Sequence, residues 1–187
     1  MSESPANHPA VNLANQLLLA SPTLGSGAVH QSVVMLGRHS RDQGAAGYIL
    51  NQPSGRLIIE VFPSKEFAPI RSVPVFHGGP VEPRGITFGV LWAAADHQVR
   101  MEMNVDSVAT LARRQRMPRT IVRAFFGHIQ WPPGQLEAEL AASLWIPATP
   151  SPSLLTEPHD PDLWSKLLGG LSPYHQFLAA PEDPAQN

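Results

Sequence analysis

The chain has 187 residues, 43% of them hydrophobic and only 15% charged, with 13 Lys and Arg against 15 Asp and Glu for a formal net charge of −2. That length suits one globular domain able to bury a sizeable core, and the near-neutral charge supplies no global field toward nucleic acid. With no cysteine at all, disulfides, thiolate zinc sites and cysteine nucleophiles are excluded.

Residues 1–12 are polar, hold two prolines and are expected to form a disordered tail. This start lacks the basic region of a signal peptide, and Leu17-Leu18-Leu19-Ala20 is too short for an export or membrane core, so a cytoplasmic protein without membrane contact is expected. Residues 13–178 are read as a single domain and residues 179–187 as a second disordered tail. Gln16 to Ala20, stopped by Ser21-Pro22, reads as a buried strand, as do Ser32 to Leu36 and Gly47 to Leu50. The Gly25-Ser26-Gly27 loop is no phosphate loop, because no Gly-Lys-Ser/Thr follows it.

Gln52-Pro53-Ser54-Gly55 is expected to be a turn, and Leu57 to Phe62 fits a short helix or a strand equally. Val75-Phe76 leads into His77-Gly78-Gly79-Pro80; Ile86 to Leu91 and the alternating Val99 to Met103 then read as strands joined in a hairpin around Asp96. Asp106 is expected to cap a helix running to about Arg116, closed by Pro118.

Thr120 to Gly127 reads as a strand, and Phe125 to Leu140 writes strand, rigid turn and helix in one passage. Pro132 and Pro133 fix φ, Gly134 relieves the turn, and Leu136 and Leu140 share a helix face. A strand at Leu144-Trp145-Ile146 and a loop with four prolines from Pro147 to Pro158 follow. A last helix begins at Asp160-Pro161 and stops at Gly169-Gly170. Trp131, Trp145 and Trp164 are expected in the core. There is no internal repeat and no heptad pattern.

Five passages in register carry a family resemblance: Gln16 to Leu24, Ser32 to Leu36 with His39, Gly44 to Pro53, His77 to Val81, and Phe125 through the Pro-Pro turn. Together, from about Gln16 to about Gly169, they resemble the YqgE/AlgH family. The chain departs from the family pattern at Gln130, where a glycine is usual, and at His128, where a small or aromatic residue is usual. The resemblance implies an α/β (α+β) domain with a mixed, bifurcated or barrel-like sheet flanked by helices, from bacteria. It implies no established reaction, and members carry a label as transcriptional regulators.

Several residues are candidates for chemistry. Gly78 and Gly79 after His77 allow a close approach of two amides to a small anion, though the same letters make a sharp turn; the lipase-like echo fails because no Gly-x-Ser-x-Gly follows. His39, Asn51 and His77 would offer acid/base groups and an amide if they met in one cleft, giving a metal-independent hydrolase as the enzyme alternative. Asn51 is equally suited to bonding its own backbone in the turn. Gln135 and Glu137 stand at a helix start, where a carboxylate favours the positive end.

No histidine spacing suggests a metal, and no cofactor is expected. Arg113, Arg114, Arg116, Arg119 and Arg123 cluster without an acid between them, which fits a solvated helix C-terminus or, less simply, a phosphate or nucleic-acid contact. Lacking a helix-turn-helix pattern, the chain is not expected to read DNA directly. The preferred reading is a non-enzymatic regulatory module, a monomer or weak homo-oligomer, that binds a small ligand or a protein partner.

Overall fold

A computed structural model of the chain describes residues 12–172, so the expected tails lie outside the described residues except for Asn12. The continuous apolar run Leu17–Ala20 forms β1, whose four side chains are all buried. Its alternate residues feed opposite sides: Leu17 and Leu19 enter a central cluster, Leu18 and Ala20 an outer one. A strand covered on both faces is expected to read as an unbroken apolar stretch. Antiparallel ladders continue from β1 to β2 (Val33–Ser40) and from β2 to β3 (Gly44–Ile49). The second strand outruns its apolar core, because Arg38, His39 and Ser40 still pair with Ala46, Ala45 and Gly44.

The expected turn at Gln52 to Gly55 is corrected to the start of an edge strand. Pro53–Leu57 forms β4, pairing with β5 (Pro74–His77), and the register slips between Pro53 and Arg56. Proline lacks a donor and is tolerated on an edge, and a register slip is where a turn-like string can sit inside a strand. The ambiguous stretch after it resolves into a single helical turn, α1 (Ile58–Val61), with Ile58 buried.

Three further strands extend the sheet: β6 (Val81–Ala93), β7 (Val99–Glu102) and β8 (Thr120–Trp131). The expected hairpin joins β6 and β7, its turn held by the Ala94 amide to Gln98 O at 2.9 Å and the Gln98 amide to Asp96 Oδ1 at 3.1 Å. Phe125 and Phe126 of β8 pair with β5 in parallel and with β6 antiparallel, so these two strands lie on opposite edges of β8. Ile129 to Trp131 pair instead with β3. The sheet therefore forks along β8, as the family resemblance implied.

To pass from one edge of β8 to the other, the chain must cross that strand between His77 and Val81. It does so at Gly79, φ +148°, where any Cβ would collide with the carbonyl of His128. Glycine is required there by backbone-on-backbone approach.

Helix α2 (Val108–Gln115) is capped by Ser107 rather than Asp106: the Thr110 amide donates to Ser107 Oγ at 3.2 Å, the geometry an N-cap needs. After the Pro-Pro corner, Gly134 adopts φ +81° and opens α3 (Gln135–Ala141), which buries Leu136. The next strand, β9 (Trp145–Ala148), runs on through Pro147 and pairs with β1. The proline-rich stretch beyond it is no open loop, because Pro152–Leu155 make a 3-10 turn that buries Leu154 and Leu155. Helix α4 (Asp162–Gly169) then adds Leu163, Trp164 and Leu168 to the central cluster. Each such side chain contributes roughly 1.5–3 kcal/mol of transfer free energy. The Trp164 indole also donates to Ala20 O at 2.9 Å.

Three apolar clusters result. The central one lies inside the curl of the sheet under the 3-10 turn and α4. One outer cluster lies between β1–β3 and α3, the other between β5, β6, β8 and the α1 and α2 side.

Candidate functional site

The candidate residues from sequence fall into two groups at opposite ends of β2. His39, on the penultimate residue of that strand, has a side chain only 5% exposed, and both its ring nitrogens are engaged. The Leu13 amide donates to Nδ1 at 3.1 Å, so Nε2 carries the proton and donates to Glu137 Oε1 at 3.1 Å. Gln135 is exposed and donates from Nε2 to Glu139 Oε1 at 2.7 Å. A shallow cleft of about 440 Å³ beside them is lined by Arg41, Asp42, Pro133, Gly134 and Glu137.

Asn51 is at the other end, 3% exposed. It does not bond its own backbone. Its Oδ1 accepts from the Val33 amide at 2.8 Å and its Nδ2 donates to Gln31 O at 2.9 Å, pinning the approach to β2. Six residue steps along β2 take Val33 to His39, about 20 Å of strand. His77 lies near Asn51, its amide bonded to Gln52 O at 2.8 Å and its ring exposed. The Gly78 amide is occupied by Phe126 O at 2.7 Å, and Gly79 is pressed on the His128 backbone. His39, Asn51 and His77 therefore do not meet in one cleft, and the two glycines serve the crossing of β8.

The five arginines separate as well. Arg113 and Arg116 are exposed at the end of α2. Arg114 pairs with Glu102 at 2.9 Å and lies 4.9 Å over the Trp92 ring. Arg119 borders a cavity of about 410 Å³ with Thr120, Pro152, Ser153, Leu155 and Thr156. Arg123 extends over the Phe76 ring at 5.6 Å, and its Nη1 donates to Val122 O at 3.0 Å.

A different site emerges from strands remote in sequence. β7 pairs only with β6 among the described strands, and its other edge faces the end of β2. Asn15 bridges the gap: its amide donates to Leu36 O at 2.7 Å, and its Oδ1 accepts from the Met101 amide at 2.9 Å. Beside this staple lies a cavity of about 480 Å³ lined by Gly37, Arg38, Ala46, Trp92, Met101, Glu102, Met103, Asn104 and His128. Strands β2, β3, β6, β7 and β8 each contribute a residue. Next to it, the Tyr48 hydroxyl donates to Asn104 Oδ1 at 3.0 Å and meets Thr87 Oγ1 at 2.8 Å. Burial raises the Tyr48 pKa, with the Thr87 and Asn104 bonds acting against it, so the phenol stays a neutral donor at physiological pH.

Of the cavity residues, the sequence draws attention to Ala46 within the Gly44 to Pro53 passage, to the β-pattern around Val99 to Met103 and to the unusual His128. The polar tip of the Gly47-Tyr48-Ile49 string was a usable further signal.

A family model described as AlgH-like (DUF179) matches residues 17–174. The chain belongs to the AlgH-like family. A UPF0301 protein of Thioalkalivibrio sulfidiphilus is 31% identical over 166 residues, covering 83% of each chain. A UPF0301 protein of Methylococcus capsulatus is also 31% identical over 166 residues, covering 83% of this chain and 86% of its own. Two solved structures share the fold. A Corynebacterium diphtheriae protein superposes with a TM-score of 0.69 at 24% identity, covering 93% of both chains. AlgH from Pseudomonas aeruginosa does so at 0.64 and 23%, covering 98% of this chain and all of its own.

Within this AlgH-like fold, a buried histidine and a partly buried arginine stand apart from the seam cavity. His159 is 6% exposed, donates from Nε2 to Leu154 O at 2.8 Å and leaves Nδ1 unpartnered; Arg123 Nε is unpartnered too. Burial depresses the His159 pKa, and the Arg123 charge adds to that, while the Leu154 bond, Glu157 and Asp160 oppose it. Desolvation also lowers the Arg123 pKa, but a guanidinium keeps its charge at any physiological pH. Among the described residues, no three His, Asp or Glu side chains are placed to hold a metal, and no helix is long and apolar enough to cross a membrane.

Proposed function

We propose that this chain is a non-enzymatic cytoplasmic regulatory module that takes a small ligand into the seam cavity and passes the bound state to a protein partner. What supports the reading most is the convergence of five strands on one cavity of about 480 Å³, within the usual range of small-molecule sites. Its lining offers recognition rather than reaction. Glu102 is held by Arg114, His128 Nε2 donates to Gln130 Oε1 at 3.2 Å, and among the described residues no hydroxyl or thiol nucleophile lines the space. The hydrolase alternative has less support, since His39 and Asn51 are fully engaged about 20 Å apart. The module works as a monomer or weak homo-oligomer and leaves direct DNA reading to others, its arginines being dispersed over α2, a turn and β8.

The test is a fragment screen of the full chain by ligand-observed NMR, repeated on Met103→Trp, which fills the cavity from its rim. Hits that bind the parent and are lost in the variant support the assignment. Hits equally strong in both would end it, as would turnover of simple esters that disappears with His77→Ala.

A further inference from the structure

We infer that the seam cavity selects a small apolar carboxylate, its oxyanion held by Arg38 and Asn104 and its body laid against Met101 and Met103. The inference rests on the reading of this cavity as the binding surface and adds the chemical class of the ligand.

The charge around the cavity points in one direction. Among the described residues its lining contains a single carboxylate, Glu102, and that group is already paired with Arg114 from α2. The same Arg114 covers a face of Trp92, so neither partner is left for a ligand cation. Arg38, on β2, is exposed at the rim and has no acidic partner among the described residues. A guanidinium presents a planar fork of donors that matches a carboxylate in two parallel bonds.

The second donor comes from an ordered amide. Asn104 sits at φ +57°, and its Oδ1 is turned toward the Tyr48 hydroxyl, which donates to it at 3.0 Å. With the oxygen spoken for, Nδ2 is the part of this lining residue without a partner among the described residues, and it can only donate. The phenol, held neutral by burial, cannot reverse that polarity.

The rest of the wall is apolar and adaptable. Met103 packs on the bare backbone of Gly37, Met101 reaches the same point, and Ala46 closes the β3 side. Thioether side chains re-pack around ligands of irregular outline. One unpaired cation suits a monoanion, and apolar walls suit an apolar body; a phosphate dianion would leave charge unmatched.

The experiment titrates the full chain with phenylacetate and, separately, with uncharged phenylacetamide, followed by amide 1H–15N spectra. Shifts should gather at Gly37, Arg38 and Met101 to Asn104, and phenylacetate should bind about tenfold tighter than its amide. Arg38→Gln, a surface change, should erase that ratio while phenylacetamide binding persists. Equal binding of the two probes by the parent chain refutes the carboxylate class and leaves the cavity assignment standing. If neither probe moves those amides up to about 10 mM, or if shifts gather at Arg113 to Arg123 instead, the carboxylate site is refuted; the fragment screen decides the cavity separately.

Discussion

Glu139 holds the Trp-Pro-Pro corner together, and removing it should cost this fold more than any other single polar change in the outer cluster. Its Oε2 accepts two indole bonds, from Trp131 Nε1 at 2.8 Å and Trp145 Nε1 at 2.7 Å, while Oε1 accepts from Gln135 at 2.7 Å. The indoles belong to side chains 2% and 4% exposed, with rings packed edge to face at 5.6 Å. In Glu139→Ala both N–H groups lose their acceptor. An orphaned buried donor costs about 1–3 kcal/mol, and the half-buried carboxylate position lets water recover part of that, so about 3 kcal/mol in total is expected. For a chain of this length, that corresponds to a fall in Tm of about 6–12 °C. Glu139→Gln keeps an oxygen for the two indoles and should lose only about 1 kcal/mol, and Gln135→Ala less than about 0.5 kcal/mol. Urea unfolding followed by tryptophan fluorescence measures all three. A Glu139→Ala midpoint indistinguishable from the parent would show that the indoles find water as readily as the carboxylate, and the clamp would be decorative.

Acid should weaken the fold through His159. Its pKa is lowered in the folded chain, so as pH falls below about 6.5 the unfolded chain takes the proton first and stability drops, by at most about 1.4 kcal/mol per pH unit. Unfolding free energies of the parent between pH 7 and pH 5 should show this slope and His159→Phe a shallower one; parallel curves would contradict it. At the crossing of β8, Gly79→Ala should cost more than about 3 kcal/mol or prevent folding, because backbone must move, whereas Gly25→Ala, with open space around it, should change stability by less than about 1 kcal/mol. Circular dichroism melts of the two variants check this, and a well-folded Gly79→Ala chain would disprove the proposed strand crossing.

Much of the fold was legible because its signals are local. An unbroken apolar run such as Leu17 to Ala20 has no use except between two covered faces, and Trp131-Pro132-Pro133-Gly134 allows little but a corner. Signals failed where a distant partner decides the outcome. Pro53 looks like a turn until β5 pairs with it, and the strand expected to stop at Leu36 runs on because Ala46, Ala45 and Gly44 pair with Arg38, His39 and Ser40. The candidate site was least legible. Conspicuous letters, His77-Gly78-Gly79 and Asn51, turned out to hold backbone in place, while the cavity draws on residues from Gly37 to His128 that no spacing rule connects. His39 illustrates the limit: a lone histidine gives no hint that an amide 26 positions away and a carboxylate 98 positions away will saturate its ring.

β8 supplies Phe125 to the central cluster, Ile129 and Trp131 to one outer cluster, and Val122 and Ala124 to the other. Having a shareholder in every compartment makes melting an all-or-nothing affair: amides throughout the sheet should exchange with deuterium at one common, slow rate set by global opening. Tolerance for inserted sequence is correspondingly pushed to the periphery, to places such as the Asp96 hairpin tip, where lengthening the connection leaves that common strand untouched.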